Sequence, residues 1–290
     1  MDIIHKTCAK GNTTLGYRVR SRNRHHFVLT MIHGLASNQT RWTEFMQNSQ
    51  LLNYCDLMSV DLRGRGLSPY RGQYSRSIWV EDVKAILEKE HYEKTVLIGH
   101  SMGAQIALEY AFKHPNRTAG LILIDPVFPT ALSGNLNLAQ RFRTIIWLLI
   151  RATWFFNKIG FQRRLIPTRD LYDLDISTRE RLNANKALSI SDLYANPFDD
   201  AKYLPLANYL QDLYEVTRPL PDLRSINTPS LVLLSKGATL INKKENEKAI
   251  LSLPNEVTTV IDADHWLLTE KPEESRLAIE QWFIKHYTRK

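Results

Sequence analysis

Apolar positions along this chain follow two alternating rhythms. Runs rich in aliphatic and β-branched residues stand at 27–32, 54–60, 95–98, 120–124, 230–234 and 257–261, and they predict the strands of a parallel sheet. Between the second and third, Ile78, Val80, Val83, Ile86 and Leu87 recur with Glu81, Asp82, Lys84 and Glu88 among them. That spacing predicts an amphipathic helix crossing from one strand to the next. A shorter helix is predicted over 40–48, with Trp42 and Phe45 in the core, and a last one after Thr269 through Leu277, Ile279, Trp282 and Phe283. Residues 3–8 and 14–20, joined by Lys10-Gly11-Asn12, predict an antiparallel hairpin at a sheet edge.

One stretch changes this scaffold into a candidate site. The run Thr95-Val96-Leu97-Ile98 is broken by Gly99-His100-Ser101-Met102-Gly103 and passes into the helix-favouring Ala104-Gln105-Ile106-Ala107-Leu108. Gly-x-Ser-x-Gly between strand and helix predicts a strained turn that lifts Ser101 clear of the sheet, its hydroxyl open to a base on one side and a substrate on the other. Free N–H groups opening the helix stand where an oxyanion would form. Ser101 is the candidate nucleophile.

Three other segments join it in resembling the α/β-hydrolase superfamily: Met31-Ile32-His33-Gly34-Leu35, Asp61-Leu62-Arg63-Gly64-Arg65-Gly66-Leu67-Ser68, and Asp264-His265-Trp266 with Glu270-Lys271-Pro272-Glu273. The resemblance covers about 27–125 and 228–287 and implies a mostly parallel, twisted sheet flanked by helices. It implies that Leu35 and Met102 give their backbone N–H groups to an oxyanion hole and that His265 is the general base. In such families His33 packs beside the site, while Asp61 and Arg63 brace a loop. Chain order in the superfamily is serine, acid, histidine, and the usual acid loop here is 235–242, which holds no carboxylate; Thr239 stands where the Asp is usually found. Asp125, at the end of the 120–124 strand, occupies the place from which some members take their acid. Asp264 and Asp262 are further candidates, as is a Ser-His dyad without a carboxylate.

The resemblance stops in the middle of the chain. This divides it into a core of 1–126 and 226–290 and an insertion of 127–225, expected to be a helical lid. From Arg141 to Arg169 there are seven Arg or Lys and no Asp or Glu, interleaved with Phe142, Ile145, Trp147, Leu148, Phe155 and Phe161. Arg151 and Lys158 interrupt the run too early for a membrane span. Two readings follow: aromatic residues packing over the pocket with Arg in solvent, or an aromatic face with a cationic rim docking on an anionic membrane. Both give a lipophilic entrance. The tyrosines of 170–225 are expected in lid packing or along the pocket.

Composition narrows the partners. The formal charge is +8 over 290 residues, yet no zinc spacing, RNA-binding aromatic motif or lysine block accompanies it, so nucleic acid is not expected. Cys8 and Cys55 form no framework and are expected to be buried thiols. Met1-Asp2-Ile3-Ile4-His5-Lys6 lacks the apolar core of a secretory signal, which suggests a cytoplasmic protein. No cofactor or metal is called for. The expected chemistry is hydrolysis of a lipophilic small-molecule ester by Ser101, His265 and Asp125. Carbon–carbon bond hydrolysis and acyl transfer use the same groups, and a ligand-binding homologue without turnover is the alternative from another class.

Overall fold

A computed structural model describes residues 2–22, 27–185, 187–194, 200, 202–237 and 241–288. The apolar runs form strands β3 (Phe27–Ile32), β4 (Asp56–Val60), β5 (Lys94–His100), β6 (Thr118–Ile124), β7 (Ser230–Ser235) and β8 (Glu256–Ile261), preceded by a hairpin of β1 (Ile4–Lys10) and β2 (Thr13–Arg20). They build one sheet in the order β1-β2-β4-β3-β5-β6-β7-β8, parallel from β4 to β8 and antiparallel through the hairpin. All the parallel strands therefore release their chain at one end of the sheet.

Burial explains why the inner strands read as continuous apolar runs. Val28 and Ile32 of β3, Leu97 of β5 and Leu121 and Leu123 of β6 enter one core with α2 (Arg76–Lys89) and α3 (Met102–Lys113). Their neighbours Leu29, Met31, Val96, Ile98, Ile122 and Ile124 point into a second core, shared with Trp42, Phe45 and the closing helix residues Ile279, Trp282 and Phe283. Successive side chains thus fill opposite layers. Trp42 and Phe45 lie on a short 3-10 turn and α1 (Thr43–Asn48), and both cysteines are buried free thiols.

The chain between β6 and β7 is helical: α4 (Gly134–Arg141), α5 (Arg143–Lys158), α6 (Leu171–Ala184), α7 (Ile190–Tyr194) and α8 (Leu206–Val216). Of the two expected placements of the 141–169 aromatics, the one over the pocket differs from the structure. Leu136 and Ala139 of α4 and Tyr209, Leu213 and Val216 of α8 line the central cavity, while Phe142, Trp147, Phe155, Phe156 and Phe161 are exposed on the outside. A helix apolar around most of its girth does not declare which face turns inward. On α5 the inner stripe is Ile146, Ile150 and Trp154, and it rests on α8, which stands between α5 and the cavity. Past β7, α9 (Lys243–Ile250) leads to β8, then α10 (Leu267–Glu270) and α11 (Pro272–Tyr287). Among the described residues no helix is long and apolar enough to cross a membrane.

Candidate active site

Ser101 sits between β5 and α3 with φ 55° and ψ −115°, a conformation that L-residues avoid. The flanking glycines make it possible. A Cβ on Gly99 would come within 2.3 Å of Gly103 O, and one on Gly103 within 2.4 Å of Ile32 O, so only hydrogen fits where strand, helix and β3 converge. The Ser101 N–H donates to Ile124 O at 2.9 Å, pinning the turn to the end of β6.

Asp125 begins the next loop on that side, itself at φ 41°. Its N–H donates to Leu233 O at 2.7 Å and its Oδ1 accepts the Ser235 N–H at 2.9 Å, so β7 holds the carboxylate from both ends. Oδ2 meets His265 Nδ1 at 2.6 Å in a buried pair. Burial raises the Asp125 pKa, but the His265 ring and the Ser235 N–H outweigh it, and the carboxyl lies below its ordinary range. An ionised Asp125 requires the proton on His265 Nδ1, which leaves Nε2 as a lone-pair acceptor. Ser101 and His265 line the same cavity. The Ser101 hydroxyl has no hydrogen-bond partner among the described residues, in keeping with contacts that tighten only around a bound substrate.

The competing acids are placed elsewhere. Asp264 directs its carboxylate at Gly237, whose added Cβ would meet Oδ1 at 1.9 Å, and Asp262 reaches outward to Lys236 at 3.4 Å. Thr239 lies outside the described residues. Leu35 follows Gly34 at the end of β3 and lines the cavity, while Met102 opens α3 and has no carbonyl one turn back for its N–H.

His33 is a strut: its Nε2 accepts the Leu62 N–H at 3.1 Å, its Nδ1 donates to Gly34 O at 2.9 Å, and burial drives its pKa down to about 3. Asp61 accepts from Gln39 and Leu67, and Arg63 forks onto Asp82. Two supports were not read from sequence. His100 donates Nε2–H to the His265 carbonyl at 3.0 Å, its ring 5.0 Å from that of His265; burial, then the neighbouring imidazole, lower its pKa to about 3. Arg41, buried on the cavity wall, pairs with Asp175 of α6, and both reach Thr269 of α10. This pair ties the insertion to the segment after His265. His100 had a signal, its place inside the elbow; Arg41 and Asp175, 134 residues apart, had none.

The cavity measures about 390 Å³, and its walls are mainly apolar, including Leu35, Val127, Leu136, Leu213 and Trp266. That is the size and character of a small-molecule site. Among the described residues no group of three His, Cys, Asp or Glu could hold a metal ion.

A model of the alpha/beta hydrolase family matches residues 31–275. Ethanol acetyltransferase 1 of Wickerhamomyces anomalus is 23% identical over 269 residues, 87% of this chain and 67% of that protein. 2-Hydroxymuconate semialdehyde hydrolase of a Pseudomonas species is 34% identical over 101 residues, 34% of this chain and 36% of that protein. A thermophilic esterase from Thermogutta terrifontis has the same fold, with a TM-score of 0.68 at 21% identity over 99% of this chain and 100% of that one. With the family model running from the end of β3 into the closing helix and across every segment of the site, the chain belongs to the alpha/beta hydrolase family.

Proposed function

We propose that the protein is a serine hydrolase that cleaves carboxylic esters of a lipophilic small molecule through an acyl-enzyme. Ser101 Oγ attacks the ester carbonyl while His265 Nε2 takes its proton, and Asp125 holds the imidazole and stabilises its charge. Backbone N–H groups of Leu35 and Met102 receive the oxyanion. Collapse breaks the acyl–oxygen bond, and His265 returns the proton to the leaving alcohol. Water, deprotonated by His265, then attacks the acyl-serine and releases the acid and the free Ser101 hydroxyl. The observation that carries this reading is the buried 2.6 Å Asp125–His265 bond beside a serine held at φ 55°.

A fluorophosphonate probe tests it. Rapid labelling that is lost in Ser101→Ala supports the enzyme, and an unlabelled native protein leaves a binding homologue. Acyl transfer is the second reading, favoured by the similarity to an acetyltransferase across 87% of the chain. Adding ethanol to the ester assay separates the two, because a transferase yields ethyl ester in place of acid.

We also propose that the insertion rests on anionic lipid. On and after α5, Phe155 is 61%, Phe161 74% and Leu165 87% exposed, and Arg151, Lys158 and Arg164 among them, with Arg141 at the end of α4, carry no ion pair among the described residues. An apolar face within a cationic field complements a negative bilayer better than a second, equally cationic copy of itself. Vesicles of phosphatidylcholine with phosphatidylglycerol should float the protein, phosphatidylcholine alone should not, and Phe155→Ser/Phe156→Ser should stay behind. Binding to neither vesicle, or a dimer in solution that the same substitutions dissolve, overturns this.

A further inference from the structure

Beside the reactive cavity lies a second one of about 540 Å³, and the two share Ala36, Ser37 and Arg169. Its walls carry Arg65, Arg71, Arg164 and Arg169 and, among the described residues, no Asp or Glu. Two of these charges are already answered from behind: Arg65 pairs with Asp212, and Arg169 with Asp200 at 3.2 Å. The other two are not. Arg71 donates only to neutral acceptors, Gln162 Oε1 and the carbonyls of Arg163 and Arg164, and Arg164 makes no ion pair. Two guanidinium groups on a cavity wall without a carboxylate to answer them favour an anionic ligand, because charge-assisted bonds to arginine are the stronger kind.

The linings differ in kind. The reactive cavity offers mostly apolar carbon, suited to an acyl chain, whereas the second sets Arg71 and Arg164, without acidic partners, among apolar residues such as Tyr70 and Leu204. One substituent does not suit both. We infer that the second cavity receives a phosphate or carboxylate carried on the alcohol side of the ester, so that the substrate is an anionic ester and its leaving group an anionic alcohol. This rests on the ester-cleaving reading above and names the substrate class for it.

Two arms test the inference separately from that reading. In the first, glycerol 3-phosphate is titrated calorimetrically into Ser101→Ala, which needs no turnover. It should bind where glycerol does not, and about ten-fold more weakly when Arg164→Gln is added, the loss of one charge-assisted contact. Arg164 is exposed and unpaired, so its replacement does not threaten the fold, and an unchanged melting temperature verifies this. In the second, native protein is given 1-butyrylglycerol and its 3-phosphate. The ratio of kcat/KM should favour the phosphorylated ester at least about ten-fold and fall by a similar factor in Arg164→Gln. Glycerol 3-phosphate binding indifferent to Arg164→Gln, or equal cleavage of the two esters, overturns the inference. Inorganic phosphate binding as tightly as glycerol 3-phosphate without any preference in turnover also overturns it, by making the site one for a free anion. Binding without cleavage of any ester would instead sink the proposed reaction and leave the anion site standing.

Discussion

Replacing Asp125 by Asn tests the arrangement most sharply, because the change keeps the shape and alters only which atoms can donate. In the native protein both carboxylate oxygens accept, Oδ1 from the Ser235 N–H at 2.9 Å and Oδ2 from His265 Nδ1 at 2.6 Å. An amide has one oxygen. If it faces Ser235, the NH₂ faces His265 and requires an unprotonated Nδ1, which moves the ring proton to Nε2, where it blocks uptake of the Ser101 proton. If it faces His265, two donors meet at Ser235, at a cost of about 1–3 kcal/mol for the unsatisfied buried group. The backbone bond to Ser235 is fixed by β7, so the first arrangement wins and the tautomer is wrong. Loss of the carboxylate in a serine triad costs on the order of 10⁴ in rate, and we expect kcat for a 4-nitrophenyl ester to fall by at least about 10²-fold, or roughly 2.7 kcal/mol of barrier. KM should change little, and the melting temperature should confirm the fold. The matched control is Asp264→Asn, whose carboxylate faces Gly237; it should lose less than about three-fold. An unaltered rate in Asp125→Asn, or a larger loss in the control, refutes the assignment.

Other predictions concern stability. His33 and His100 are held neutral to about 3 by burial, while in the unfolded chain they titrate near 6.5. As pH falls below 6.5 the unfolded state gains protons that the native state refuses, so at pH 5.5 each removes about 1.4 kcal/mol of stability; denaturation midpoints that fall just as steeply in His33→Gln would contradict this. Glu270 has the opposite sign: burial first, and then the Asp264 charge, raise it to about 7, so the native state keeps a proton that the unfolded chain has released, and stability falls as pH rises from about 4.5 to about 7. Glu270→Gln, which still accepts the Asp264 N–H, should therefore be more stable than the native protein at pH 8 by about 1 kcal/mol after allowance for solvent screening, with the gap closing at pH 4. Asp175→Asn strands the buried Arg41 charge and should lower stability by about 3 kcal/mol in urea titration; a smaller loss than that of an exposed pair such as Arg224–Asp222 would deny the tie its role.

The inner strands were legible because they are buried on both sides, while the edge strand β8 leaves Val257 and Val260 exposed. A run such as Thr95–Ile98 or Leu121–Ile124 has no polar face to show, and only a sheet packed between two cores accepts that. The elbow was legible for a steric reason, since Gly99 and Gly103 stand where any Cβ would collide with backbone. The insertion was legible as helices but not in orientation. Apolar residues on α5 suit a pocket, a neighbouring helix or a lipid surface equally well, and the choice was made by α8, which covers the cavity with Tyr209, Leu213 and Val216 and leaves the α5 aromatics outside.

Strand order separates the carboxylates that the sequence offered as candidates. Asp264 adjoins His265 in sequence, but in an extended loop neighbouring side chains diverge, and its carboxylate ends against Gly237. Asp125 is 140 residues away, and only the strand order brings it near. With β6 between β5 and β7, the first residue past β6 lies beside Ser101 on one hand and Ser235 on the other, within reach of the loop leaving β8. A carboxylate at that corner is oriented by β7 whether or not the 235–242 loop supplies one of its own. With no Asp in that loop, Asp125, one strand over, is the carboxylate that meets His265.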